Sequence, residues 1–467
     1  MSTQGIRDFR PEIHFTPATG WINDPNGLVY ENGNYHLFAQ YYPEPVWGPM
    51  HWCHAVSQDL LHWQHLPVAL YPDADGAMFA GSAVYGKENT SGFGTKEHPP
   101  IVAMYTCHGD TEQQCIAYST DYVNFAKYTG NPVIPNAEKI DFRDPKVIPN
   151  HKGGWSVVLA AGDRVEFYAS DNLKEWRKTG EFGTEGNHSQ GVWECPDLFP
   201  LTIDGEEKWI LIVSMGRNHE NHGARTQYFI GQFDGETFTC DTPWDTAEFI
   251  DQSFDNYAGV TVDNAQERIM IAWGTSWIYA RQLPTGEFCG YMAMPRKIEL
   301  VRTPKGGLRL ATPPVAWPFQ EAPCGTGDLP GELFGLKVKG SGAATIRLEN
   351  SRGQHFDFGV NEKGEIFIDR SQAGYKGFNE YFFSDWYSKI SAPRYYEGEW
   401  ELELHFDYSI CELYADQYTR AFTQLMYPDT PYTKVAVAQG RYQVEEWAAK
   451  TTENSFRGRR IEVCGRF

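Results

Sequence analysis

Three acids lie in short stretches that mix aromatic, turn and acidic residues: Asp24 in WINDPNG (21–27), Asp144 in FRDPKV (142–147) and Glu194 in WECPDLF (193–199). Each stretch has a bland reading, because Asn, Asp, Pro and Gly are the residues that bend backbone. The sharper reading is chemical. Two carboxyl groups of different protonation, held on opposite sides of a scissile bond, suffice to hydrolyse a glycoside: one attacks or activates water, the other protonates the departing oxygen. Clustered acids also bind metal ions, but no histidine ligand pattern accompanies these, and Arg143 stands beside Asp144 to compete for the carboxylate. No metal and no cofactor is therefore expected. The chemistry requires residues 120 and 170 positions beyond Asp24 to meet it in one place, which passes the question to the elements that could bring them together.

A repeat answers it. HAVSQDLLHW (54–63), IAYSTDYVNF (116–125) and FYASDNLKEW (167–176) each run from a strand-like stretch through a serine and an acidic turn to an aromatic six places after the serine: Ser57 to Trp63, Ser119 to Phe125, Ser170 to Trp176. YFIGQFDGETF (228–238) is a fourth copy, with Gln232 in the serine place and Phe238 in the aromatic one. The copies are 51 to 62 residues apart, the period of a β-propeller, whose blades must stack around an axis to bury both faces. The intervening GLVYENGNYHLFAQY, GGWSVVLAAG, KWILIVSMG and ERIMIAWG read as strands, the first with a hairpin turn at Asn32 and Gly33. Asp24, Asp144, Glu194 and Asp255 would then each fall just ahead of a blade's opening strands, with FAGSAVYG (79–86) at that place in the second blade. Opening strands that line the axis would bring these residues to one mouth.

Five blades end near MPRKIELV (294–301), so a propeller is expected over 1–312, a Pro- and Gly-rich linker over 313–331, and a second domain over 332–467. There AATIRLEN, FDFGVNEKGEIFIDR, WELELHFDYSICELYAD and RRIEVCGRF alternate apolar and polar residues, the pattern of an antiparallel sandwich. The expected fold class is all-β: a five-bladed β-propeller followed by a C-terminal antiparallel β-sandwich. The repeat also assigns Trp52, Trp63 and Trp176 to blade cores.

A formal charge of −21 repels phosphate backbones and anionic lipid, so neither a nucleic-acid nor a membrane partner is expected. MSTQGIRDFRPEIHF lacks the apolar core of a signal peptide and no later segment approaches the ~18 apolar residues of a span, which predicts a cytoplasmic protein. The nine cysteines form no C-x-x-C pair, so neither a zinc knuckle nor a disulfide framework is signalled. Aromatics at 15 % suit stacking on sugar faces and a β-rich core equally.

HFTPATGWINDPNG, GSAV, FRDPKV, WECPDLF and DYSICELY together resemble the β-fructofuranosidases of glycoside hydrolase family 32, which includes invertases, sucrose-6-phosphate hydrolases and fructan exohydrolases. The match runs along nearly the whole chain in family order. It implies a retaining mechanism without metal on a small-molecule sugar, with Asp24 as nucleophile and Glu194 as acid and then base, held protonated by neighbouring Asp24 and Asp144. It makes Asp144, with Arg143 beside it, a third carboxylate on ring hydroxyls, and puts Asn23, Gln40, Trp47, Phe79 and Ser82 near a fructosyl ring, with Trp277 toward the rim. Cys195 either adjusts the acid or packs. Asp255 is left outside the site.

The chain departs from the family pattern at Ala80 in FAGS, where a serine is common, and at Ser253 and Asn256 in DQSFDNYA, where Gly and an aromatic are more usual; these bear on the outer pocket. The resemblance implies release of terminal β-fructofuranosyl units from sucrose or short fructo-oligosaccharides. Sucrose-6-phosphate hydrolysis, fructan exohydrolysis and fructosyl transfer would use the same acids, and a sugar-binding propeller is the non-enzymatic alternative. The sandwich is expected to pack on the propeller and leaves a homodimer open.

Overall fold

The computed structural model describes residues 7–183, 191–216, 223–243, 246–319, 327–329 and 331–449. Part of the linker segment and RRIEVCGRF lie outside them.

The repeated turn keeps in all four copies an Asp or Asn Oδ1 accepting the N–H three places on, and in two of them a serine cap as well. Ser57 Oγ accepts the Leu60 N–H at 2.8 Å and Asp59 Oδ1 accepts the His62 N–H at 2.8 Å; Ser170 and Asn172 do the same for Leu173 (2.9 Å) and Glu175 (3.0 Å). The residue three places after each serine position is left-handed: Leu60 (φ 67°), Tyr122 (φ 63°), Leu173 (φ 65°) and Gly235 (φ 91°). Short polar side chains stand in for the missing backbone partners of a tight reversal, and glycine in the last copy takes the strained angle without a Cβ penalty. The indole N–H groups of Trp63 and Trp176 close the turn on the Leu60 and Leu173 carbonyls, at 3.0 and 3.1 Å. These two rings are half-buried, whereas Trp52 is wholly inside.

Each blade is an antiparallel sheet entered through its innermost strand. These strands are Gly20–Glu31, Ala77–Tyr85, Phe142–Pro149, Trp193–Ile203 and Tyr257–Thr261, paired with Asn34–Tyr42, Ile101–His108, Trp155–Ala161, Glu206–Met215 and Ile269–Trp273. Phe288–Cys289 returns to pair in parallel with Gly20 and Trp21, tying the late chain to the first blade. Apolar side chains fill each gap between blades: Phe38, Trp52, Met78 and Tyr105 between the first and second, Phe167, Trp193, Leu211 and Phe229 between the third and fourth, Trp21, Leu37, Tyr257 and Trp273 where the fifth meets the first. Burial of each such side chain contributes about 1.5–3 kcal/mol and fixes the blades rigidly about the axis.

Of the four acids expected ahead of the opening strands, Asp255 does precede its strand, whereas Asp24, Asp144 and Glu194 lie inside theirs, at or beside a bulge that recurs in all five blades. Asn23 and Asp24 together face Gln40; Phe79 and Ala80 face Thr106; Asp144 and Pro145 face Leu159; Cys195 and Pro196 face Val213; Ala258 and Gly259 face Ala272. A proline has no N–H to give the ladder, and a two-against-one bulge needs none at that place.

In the second domain one long strand, Leu333–Glu349, belongs to both layers. Its first half pairs with Trp400–Asp407 and its second half with His355–Val360, while Lys434–Ala449 runs antiparallel along its other edge. Phe334, Leu336 and Val338 of the first half share a core with Ile346 of the second half and with Phe356 and Phe358 of the strand paired to it, as in a sandwich.

Buried charges join the domains. Asp407 accepts the backbone N–H groups of Glu12, Ile13 and His14 at 2.8, 2.9 and 3.1 Å and pairs with His14 Nδ1 at 2.8 Å. Glu412 meets His14 Nε2 at 3.3 Å, the Met294 N–H at 2.7 Å and Arg296 at 2.9 Å. Asp255 pairs with Arg370 at 2.6 Å and accepts the Tyr279 hydroxyl, so it faces the sandwich. Burial alone would lower the His14 pKa, but Asp407 and Glu412 outweigh it and hold the imidazole up at about 9.

A folded pKa above the ordinary 6.5 means that this contribution is complete below pH 6.5 and is lost as pH rises through about 9. His14→Gln leaves buried carboxylates short of a partner and should cost about 3–5 kcal/mol at pH 6. Thermal melts should show the gap to wild type narrowing at pH 9.5; a constant gap would contradict the charged pair.

Candidate active site

The bulges bring three carboxyl groups to one end of the axis. In the first, Asp24 projects beside the residue it faces, and Gln40 Nε2 donates to its Oδ2 at 3.0 Å. Asp24 Oδ1 has no hydrogen-bond partner among the described residues. In the third, Asp144 is left-handed (φ 64°), its N–H donating to Thr106 Oγ1 at 2.9 Å. In the fourth, Cys195 is left-handed too (φ 45°), which turns its N–H onto Asp144 Oδ2 at 2.9 Å and sets its sulfur 3.5 Å from Asp144 Oδ2 and 3.6 Å from Asp24 Oδ2. The thiol thus sits between the two aspartates. Strained non-glycine backbone at two adjoining blades, Asp144 and Cys195, is what aims these groups at one another.

Glu194 completes the cluster from the residue before Cys195. Arg143 Nη2 donates to its Oε1 at 2.9 Å, and the Tyr257 hydroxyl donates to its Oε2. Arg143 is itself held by Asp141 at 2.6 Å and Glu112 at 3.3 Å. Glu194, expected near Asp24 and Asp144, is in addition gripped at both oxygens, and the guanidinium of Arg143, expected beside Asp144, reaches Glu194.

Burial, then the charge of Glu194, pushes Asp24 up to about 6. For Asp144 burial again acts first; Arg143 opposes it, Glu194 and Asp24 reinforce it, and the group stands at about 7. Burial, then Asp144 and Asp24, holds Cys195 well above the ordinary thiol range, so it stays a neutral donor. Burial and Glu194 likewise keep the Tyr257 phenol protonated.

The other candidates divide. Asn23 is buried next to Asp24 in the chain, its Oδ1 taking the Trp21 indole N–H at 2.7 Å. Phe79 is half-buried, stacked on His108 at 4.0 Å, with Trp47 edge-on at 6.4 Å and 40 % exposed at the rim. Trp277 is half-buried and stacked on Trp21 at 6.0 Å. Ser82 departs from expectation: its hydroxyl donates to the Pro145 carbonyl at 2.8 Å and accepts the Val147 N–H at 2.9 Å, so it ties the second blade to the third. Ala80 lines a cavity of about 10 Å³ below the acids, with Asn26, Asp144 and Cys195. Ser253 and Asn256, expected to shape the outer pocket, are buried toward the sandwich, Asn256 Nδ2 reaching Thr423 Oγ1 at 3.4 Å.

Sequence reasoning missed Tyr257, Thr106 and Glu112. A signal for Tyr257 existed: Tyr257-Ala258-Gly259 aligns with Glu194-Cys195-Pro196 at the recurring bulge. Among the described residues no group of three or more His, Cys, Asp and Glu is arranged to hold a metal ion.

A carboxyl whose folded pKa of about 7 exceeds its ordinary 3.8 binds its proton more tightly in the native state, so stability falls as pH rises from 3.8 to 7. Asp144→Asn should therefore stabilise the fold by on the order of 2 kcal/mol at pH 8 and hardly at all at pH 3.5. Equal melting shifts at both pH values would count against this.

Residues 14–313 match the N-terminal domain, and residues 331–452 the C-terminal domain, of glycosyl hydrolases family 32. The chain is 40 % identical to the levanase of Bacillus subtilis (strain 168) over 456 residues, covering 90 % of this chain and 67 % of that one. It is 34 % identical to the extracellular exo-inulinase inuE of Aspergillus niger over 490 residues, covering 90 % of each. The crystal structure of the Aspergillus awamori exo-inulinase superposes with a TM-score of 0.85 at 30 % identity, over 95 % of this chain and 99 % of that one. A fructofuranosidase of Schwanniomyces occidentalis, complexed with fructosylnystose, gives 0.84 at 27 % identity, over 96 % and 99 %. Matched over both domains, with its acids gathered at the mouth of a five-bladed propeller, the chain belongs to glycosyl hydrolases family 32.

Proposed function

We propose that the chain is a retaining β-fructofuranosidase releasing terminal, non-reducing β-D-fructofuranosyl units from sucrose or short fructo-oligosaccharides. The observation that carries this is the convergence of Asp24, Asp144 and Glu194 with Asp24 Oδ1 unshared. Gln40 and Cys195 hold Oδ2 of Asp24, leaving Oδ1 to attack the anomeric carbon and form a covalent fructosyl-enzyme. Glu194, oriented by Arg143 and Tyr257, delivers a proton to the leaving oxygen; it then takes one from the water that resolves the intermediate. Asp144, anchored by the Cys195 N–H, is placed to accept hydroxyl hydrogen bonds of the fructosyl ring, whose outer face would meet Phe79, Trp47 and Trp277. A binding protein would have no use for two buried aspartates held against their own ionisation.

The likeness to a levanase and to exo-inulinases favours fructans as a second substrate class on the same acids. We also place the protein in the reducing cytoplasm, on the seven described cysteines, all free thiols; sucrose-cleaving activity outside the cytosolic fraction would refute that.

Asp24→Ala should lower kcat on sucrose by at least ~10³-fold, and product release at the wild-type rate would sink the assignment. Glu194→Ala should lose ~10²–10⁴-fold on sucrose but much less on p-nitrophenyl β-fructofuranoside, whose leaving group needs no proton. Asp24 must be ionised to attack and stands at about 6, so kcat/KM should fall as pH drops through about 6.

A further inference from the structure

Two strands of the second blade, Ile101–His108 and Glu112–Ser119, turn back on each other beside Phe79, with His108 facing Glu112 across the hairpin. The His108 ring stacks on Phe79, and its Nδ1 lies 3.2 Å from Glu112 Oε1. The Glu112 side chain is only 11 % exposed and reaches across to the third blade. Its Oε2 accepts the Phe142 N–H at 2.8 Å, and both of its oxygens lie 3.3 Å from Arg143 Nη1. Behind it the hairpin is pinned: Asn136 Nδ2 donates to the Glu112 carbonyl at 3.0 Å, and Thr111 Oγ1 to the Asn136 carbonyl at 2.9 Å.

Arg143 divides its two terminal nitrogens between two tasks. Nη2 donates to Glu194 Oε1 at 2.9 Å, while Nη1 is occupied by Asp141 at 2.6 Å and by Glu112. A guanidinium beside a carboxyl favours the ionised form, which is the wrong form for a group that must arrive carrying a proton. The carboxylates on Nη1 offset that pull without loosening the geometry that aims Glu194. Burial would raise Glu112, but His108 and Arg143 outweigh it and hold it below the usual carboxylate range, so it is an anion at neutral pH. Asp141 shares the task at 31 % side-chain exposure, where water screens it more.

The charges around this group come from several strands. Arg143 is faced by Glu112 of the second blade, by Asp141 and Asp144 of its own stretch and by Glu194 of the fourth blade. Glu194 is faced by Arg143, the Tyr257 hydroxyl, the Cys195 thiol, Asp24 and Asp144. Lys139 lies over the Phe142 ring at 4.4 Å but pairs with Glu166 at 2.7 Å.

We propose that Glu112, seconded by Asp141, is a positioning residue for the acid: it fixes the Arg143 guanidinium and absorbs enough of its charge for Glu194 to keep its proton until the leaving oxygen needs it. This rests on the proposed function and gives Glu112 no contact with substrate.

Glu112→Gln keeps an acceptor for the Phe142 N–H and removes the charge. The alkaline limb of kcat/KM on sucrose, which reads the proton on Glu194, should move down by about 0.5–1 pH unit, a roughly three- to tenfold loss at pH 8, with the acidic limb unmoved. On p-nitrophenyl β-fructofuranoside, whose leaving group needs no proton, kcat/KM should stay within about twofold of wild type. Where Glu112→Gln folds poorly, Asp141→Asn reads the same charge and should give a smaller shift the same way. An unmoved alkaline limb in the variant read, or equal losses on both substrates at every pH, would overturn the proposal. Carboxyl NMR of isotope-labelled glutamate tests it without turnover: the Glu194 signal, known by its absence from Glu194→Gln, should titrate lower in Glu112→Gln than in wild type. Coincident titrations also overturn it. Failure of the wild type to release fructose from any fructoside would instead overturn the proposed function, and the carboxyl titration would still read Glu112.

Discussion

Three carboxyl groups share one buried mouth only if the protein holds them there against their mutual repulsion, and the rest of the structure serves that constraint. Low dielectric sharpens each repulsion, so neighbouring donors must be fixed rather than recruited at the moment of reaction. Gln40 and the Cys195 thiol supply them to Asp24, the Cys195 N–H to Asp144, and Arg143 with Tyr257 to Glu194. Every one of these donors, Gln40 included, sits in or opposite a bulge of an innermost strand, or just before one. The apolar packing between blades keeps those strands from relaxing apart. Here stability and function pull in opposite directions: the fold would be steadier with the aspartates neutral, and the chemistry needs Asp24 charged.

The sandwich contributes to the same end from behind. DYSICELY carries no reacting group; its Asp407 and Glu412 clamp residues 12–14, the segment leading into the Asp24 strand, and hold Arg296 behind the fifth blade. Asp255, at the head of that blade, is pinned by Arg370 rather than offered to a ligand. A buried pair of this kind is weak evidence for stability in itself, but removing one partner is costly, which makes it an effective register for seating one domain on another. The sandwich loop at 376–381 meets the propeller separately, through Asn379 Nδ2 on Gln282 Oε1 and the Ile278 carbonyl.

The propeller was legible because its repeat has a local cause. A turn of Ser, or once Gln, followed two places on by Asp or Asn and six places on by an aromatic is visible in sequence, and four copies at blade spacing leave few other folds. The repeat placed four acids alike at the blade heads, Asp255 among them, and it was the resemblance to a known family that singled out Asp24, Asp144 and Glu194. What escaped was the direction of side chains around the bulges. Alternation predicts which residues of a strand point inward, and an inserted residue reverses that alternation beyond it. Ser82 was assigned to the pocket and faces the next blade; Arg143 was set beside Asp144 and reaches Glu194; Tyr257 went unnoticed.

Local chemistry along the chain thus determined by itself that this protein is built of short strands in repeated blades, that a second β domain follows, and that a set of acids recurs at the blade heads. Only the tertiary structure decided which partners each carboxyl group has, that Cys195 lies between two of them, and that the sandwich grips the segment entering the first blade. The reason is one of range. Turn and strand preferences act over a few residues and leave their mark in the sequence, whereas the field at a buried carboxylate is set by groups that arrive from other blades, at angles fixed only when the strands have packed.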